Sequence, residues 1–139
     1  MSNRRRKGRE AALQLLFASD IEGELSDGQN RKNFWELCNV KASRREFAEE
    51  LVNGVLENLE AIDSVLRRCV DNYELPRLAA VDRNLLRLAT YEILLVEAVP
   101  PAVAINEAIE IAKDFGTPES SRFINGILDR AQKEAITAI

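Results

Sequence analysis

Apolar residues recur at spacings of three and four along nearly the whole chain, and almost nothing alternates with period two. A half-buried strand needs that alternation to turn one face inward, so the pattern argues against sheet and for amphipathic helices. Ala12, Leu13, Leu16 and Phe17 fall on one face of a helix over about 9–19. The Gly-, Asp- and Ser-rich stretch from Asp20 to Asn30 reads as a loop. A short helix holds Phe34, Trp35 and Leu37. Ser43 and Glu46 have capping-box spacing, in which each side chain satisfies an orphan amide of the first turn. From there Phe47, Leu51, Val55 and Leu59 step by four, and Ile62, Leu66, Cys69 and Tyr73 follow. This is one long helix, or two with a bend near Asn58.

Pro76 interrupts the pattern. Leu78, Val81, Leu85, Leu86, Leu88, Ile93 and Leu94 then form a broad apolar surface, the mark of a central helix buried on most sides. Pro100-Pro101 ends it. A helix from about Val103 to Phe115 follows, with Ile105, Ala108, Ile109 and Ala112 inward and Gly116 as its C′ residue. Thr117-Pro118 supplies an N-cap and a proline at N1 for the last helix, whose stripe is Phe123, Ile124, Ile127, Leu128 and Ala131. There is no internal repeat of solenoid length. The expectation is an all-α domain, a closed bundle of six or about seven helices formed by residues 1–139 as a single unit.

Composition removes much chemistry. There is no histidine, which excludes Ser-His-Asp and Cys-His catalysis and His-ligated zinc or haem. Gly23-x-x-x-x-Gly28 is half of a phosphate-loop pattern, but Gln29 and Asn30 stand where that loop needs Lys and Ser/Thr. The carboxylates Glu46, Glu49, Glu50, Glu57, Glu60, Asp63, Glu107, Glu110 and Asp114 read mostly as solvated helix faces. No apolar run approaches the roughly 18 residues of a membrane span. Gly8, Arg9, Glu10 and Gln14 break any signal-peptide core behind the basic N-terminus. Cys38 and Cys69 are solitary and read as reduced thiols of a cytoplasmic protein. No catalytic residue, metal or cofactor is expected.

What remains is a charge asymmetry. The net charge is −4, yet Arg4, Arg5, Arg6, Lys7 and Arg9 place +5 in the first nine residues. A basic arm over residues 3–9 on an acidic body suggests a local polyanion site. If the arm is helical, Arg5 and Arg9 lie one turn apart, and guanidinium forks grip phosphates bidentately where lysine acts as a point charge. Gly8 weakens that helix, so the arm either orders on binding or is a frayed terminus with incidental charge. Single-stranded RNA suits it better than duplex DNA: an acidic body repels a long duplex, and splayed bases stack on aromatic or Arg planes. Phe17 could serve such stacking or could belong to the core. Asn106 and Asn125 are poor mid-helix residues. They are either surface contacts to a ligand or, as apolar Ile105 and Ile124 beside them favour, buried amides bonding between helices.

Several segments resemble one family. The run from Arg4 to Phe17 (RRRKGREAALQLLF), the run from Val81 to Glu92 (VDRNLLRLATYE), Ala104 to Lys113 (AINEAIEIAK), Phe115-Gly116 and Phe123 to Asp129 (FINGILD) are similar, in order and spacing, to the NusB family of bacterial transcription antitermination factors. The resemblance implies an all-helical domain of two packed helical halves. It implies binding of single-stranded boxA-type RNA together with the ribosomal protein NusE, and assembly with RNA polymerase and other Nus factors against premature termination, notably in ribosomal RNA operons. Carried over by residue, it implies Arg5, Arg6, Lys7, Arg9, Glu119, Arg122 and Phe123 on RNA, and Phe17 and Asp82 on the protein partner. Gly8 stands where a better helix former is commoner, and Phe17 often has a tyrosine counterpart.

Two rivals have other signatures. NusB-like domains also serve RNA-modifying enzymes or ribosome assembly, but no Gly-rich cofactor fingerprint or catalytic Cys motif appears before Ile139, so a methyltransferase would be a separate chain. A purely structural adaptor would keep its protein partner after charge reversal of the arm.

Overall fold

A computed structural model describes residues 2–22, 31, 34–36, 41–70 and 74–137, and their side chains over 5–20, 31, 34–36, 41–70 and 74–134. All regular structure among the described residues is helical. The chain divides into two units, Met1–Glu57 and Asn58–Ile139. Gly23, Gly28, Leu37, Cys38 and Tyr73 lie outside the described residues, as does most of the predicted loop. No described helix is long and apolar enough to cross a membrane.

The first unit packs α1 (Ser2–Glu22) against α2 (Ala42–Glu57). Helix α1 is built mostly from Arg, Lys, Ala, Leu, Gln and Glu, all strong helix formers, and continues through the predicted arm despite Gly8. It buries Ala11, Ala12, Leu13, Leu15 and Leu16. Phe17, expected on that stripe, is instead 36% exposed. Helix α2 buries Ala48, Leu51, Val52 and Val55, the i, i+3, i+4, i+7 pattern. It starts at Ala42, with the Lys41 carbonyl accepting from the Arg45 amide at 2.9 Å, so Ser43 lies inside the first turn and is not the predicted cap. Trp35 is buried and its Nε1 donates to the Glu49 carboxylate, which also accepts from Arg31 Nη1 at 2.8 Å. Glu49 therefore joins segments and is not on a solvated face.

Asn58, with φ −118° and ψ 17°, separates α2 from α3 (Leu59–Cys69), which settles the choice between one helix and two. The second unit contains α3, a 3-10 turn (Leu75–Arg77), α4 (Ala80–Leu95), α5 (Pro101–Phe115) and α6 (Ser120–Thr137). Every residue from Asn84 to Thr90 is buried, so α4 is the expected central helix. Helices α3, α5 and α6 each pack on it. Inside, the Arg87 guanidinium meets the Asp63 carboxylate with two bonds of 2.9 and 3.0 Å, so this acid is also a core residue. Arg83 Nη1 donates to the carbonyls of Pro76 and Leu78 at 3.1 and 2.9 Å, holding the 3-10 turn at the start of α4.

Four local expectations need correction. Pro101 opens α5 at its first position, where its missing N–H is an orphan anyway. Gly116 is not left-handed; its φ is −103°. A Cβ there would lie 2.5 Å from Ser120 Oγ, so close approach is what requires glycine. Ser120 Oγ accepts from the Thr117 amide at 2.9 Å, and α6 begins at Ser120, later than Thr117-Pro118 suggested. Asn106 and Asn125 are both exposed, not bonded inside the bundle. Their helices turn Ala104, Ala108, Ile124 and Leu128 inward, and the amides fall outside those buried faces.

Candidate nucleic-acid interface

Each unit carries one group of the sequence-predicted site residues. In the first, the arm occupies the opening turns of α1. Arg5 and Lys7 are exposed, Arg6 is half-buried and Arg9 is 4% exposed. The exposed Lys7 Nζ pairs at 3.3 Å with the carboxylate of Glu10, which is largely buried. The guanidinium carbons of Arg5 and Arg9 lie 5.2 and 5.8 Å from the centre of the Phe47 ring on α2. Lys7, Gln14 and Phe17 share the exposed strip of α1, since steps of seven and three residues return to nearly the same side.

The electrostatics of this end are unfavourable for a chain by itself. Cations sit where the helix dipole is already positive, at about 0.3–1 kcal/mol each, and they repel one another. An anion at this end relieves both effects, because it meets the orphan amides of a helix start and neutralises neighbouring cations. Planar guanidinium forks and a lysine ammonium are groups suited to binding phosphate oxygens.

In the second unit, Asp82 lies in the first turn of α4, where its charge favours the helix dipole. It shares a shallow groove of about 270 Å³ with Glu119 and Phe123, also lined by Arg77, Thr117 and Ser120. The family resemblance implies Asp82 on a protein partner and Glu119 and Phe123 on RNA; the fold brings all three together. Arg122 is exposed on α6 and does not line the groove. Sequence reasoning missed Arg77, Thr117 and Ser120 there, and Phe47 beside the arm. The only prior sign of Phe47 was its place in an apolar stripe. Among the described residues no group of three or more Cys, Asp and Glu is arranged to hold a metal.

The chain is similar to proteins already known. A transcription antitermination protein NusB from Desulfitobacterium hafniense is 49% identical over 127 residues, covering 91% of this chain and 86% of the relative. The solved NusB of T. maritima superposes with a TM-score of 0.81 at 41% identity, over 94% of this chain and 91% of that one. A chain from the crystal structure of antitermination factors NusB and NusE in complex with dsRNA gives a TM-score of 0.85 at 27% identity, over 96% and 99% of the two chains. Residues 6–133 match the NusB family from within the basic arm to the end of the described core. On sequence and on fold alike, the chain belongs to the NusB family.

Proposed function

We propose that this chain is a transcription antitermination factor that binds boxA-type RNA together with NusE and joins RNA polymerase and other Nus factors, notably on ribosomal RNA operons. The observation that carries the reading is the arm: a helical, cation-rich end of α1 on an otherwise acidic chain that belongs to a family of antitermination proteins. The relative solved with NusE and dsRNA supports both partners. Arg5, Arg6 and Lys7 supply phosphate contacts, and the buried Arg9 adds its positive charge nearby. Glu119, Arg122 and Phe123 add contacts to bases and sugars, and Phe17 and Asp82 meet the protein partner. Residues 1–139 act as one RNA-binding domain with its arm over 3–9, in the cytoplasm, without catalysing a reaction.

Energetically, the arm provides salt-sensitive attraction while the partner adds area and sequence discrimination. If about four phosphates are neutralised on a single strand, log K falls against log salt with a slope near −3. The test is fluorescence anisotropy with a labelled boxA-type RNA against a scrambled strand and a double-stranded form, with and without NusE, across a salt series. Selective binding that NusE tightens, with that slope, and its loss in Arg5→Glu/Lys7→Glu, are expected. Equal weak binding to every RNA, or a slope near zero, would remove the arm from the mechanism and leave the adaptor reading.

A further inference from the structure

We propose that Phe47 on α2 is the positioning residue of the arm: its ring contacts the exposed Arg5 and the buried Arg9 guanidiniums and so fixes where Arg5 presents its charge to RNA phosphates. This inference rests on the reading of the arm as an RNA-binding element. Both guanidinium carbons lie within cation–π reach of the one ring, at 5.2 and 5.8 Å. Arg5 and Arg9 are one helical turn apart, so the ring spans a full turn of the arm.

Gly8 makes that seat possible. A Cβ at position 8 would stand 2.4 Å from Phe47 Cδ2 and 3.2 Å from Cε2. The ring therefore lies directly against the α1 backbone between the two arginines. Glycine is a poor residue inside a helix, and here it is required by the approach of α2 rather than by any turn. The consequence is preorganisation. The negative face of the ring offsets repulsion between neighbouring cations, and a guanidinium already held loses less rotamer freedom when a phosphate arrives. Phe47 itself is half-buried and acts through the arginines.

The experiment uses the full chain with NusE and the labelled boxA-type RNA, with melting temperature followed in parallel. Phe47→Leu keeps apolar bulk but removes the π-face, and it weakens RNA binding about three-fold. Phe47→Tyr keeps the ring and restores affinity. In an Arg5→Ala background Phe47→Leu adds little further loss, because the two act as one unit. Should Phe47→Leu not fold, Gly8→Ala tests the same contact by displacing the ring, and affinity falls with Phe47 still present. Unchanged affinity in Phe47→Leu, or full additivity with Arg5→Ala, overturns the proposal while leaving the arm in place, provided Arg5→Glu abolishes binding. If Arg5→Glu binds as well as the unaltered chain, the arm reading falls and this one with it.

Discussion

Replacing Arg87 by methionine strips the partner from a carboxylate that is largely buried. Arg87 and Asp63 side chains are 9% and 10% exposed, and the guanidinium fork closes on both carboxylate oxygens at 2.9 and 3.0 Å. Its third donor, Nη1, reaches Asn84 Oδ1 at 3.1 Å, and Asn84 in turn donates to the Ala80 carbonyl at 2.9 Å. Desolvating two such ions is offset only while the fork stays closed, so removing one partner costs about 3–5 kcal/mol. Against a total of about 5–15 kcal/mol that is a large share of the fold. With a urea dependence near 2 kcal/mol per M, the midpoint falls by about 2 M. Far-UV circular dichroism is the assay, because Trp35, the single tryptophan, lies in the other unit and its fluorescence reports there. The double variant Asp63→Leu/Arg87→Met removes both charges and fills the space, and it should recover to within about 1 kcal/mol of the original chain. A single variant that loses less than about 1 kcal/mol, or a double variant as unstable as the single one, would refute the reasoning.

Two glycines are expected to respond with opposite signs. Gly116→Ala drives a methyl into Ser120 Oγ at 2.5 Å and Cβ at 2.7 Å and should cost about 1–3 kcal/mol, whereas Gly126→Ala meets nothing within 4 Å on an exposed helix and should gain about 0.5–1 kcal/mol, both read from thermal melts. Burial, reinforced by the Glu134 carboxylate 3.7 Å away, pushes the Cys69 thiol from an ordinary value near 9 up to about 11. In a Cys38→Ser background, native Cys69 should alkylate at pH 8 about a hundredfold more slowly than in urea; equal rates would place the thiol at the surface. The folded state holds that proton more tightly than the unfolded one, so this contribution is complete below about pH 9 and is lost as pH rises toward about 11. A denaturant midpoint that did not fall across that window would contradict it.

How much of this was visible beforehand depends on whether a feature is local. Helix existence was legible because three- and four-residue spacing is itself the physics of a buried stripe, and α4 was recognisable as central from apolar residues on nearly every side. Where a stripe ends was not. Leu15 and Phe17 flank the same pattern, and only the packed neighbours decide that Leu15 goes in and Phe17 stays out. The same limit hid Asp63 among the helix-surface acids, since its partner Arg87 is set by how α3 meets α4. It also hid the exposed side of Asn106 and Asn125.

The arm shows the boundary most clearly. Its charge was legible because net charge needs no fold to be counted. Its order was not, because Gly8 read locally is a helix breaker and read in three dimensions is the contact point of two helices. A glycine inside a run of strong helix formers thus has two explanations, flexibility or close approach, and they differ in what must stand opposite. Flexibility requires nothing there; close approach requires a bulky side chain on another element, and Phe47 is that side chain. The same logic resolves Gly116, where Ser120 stands opposite, and Gly126, where nothing does.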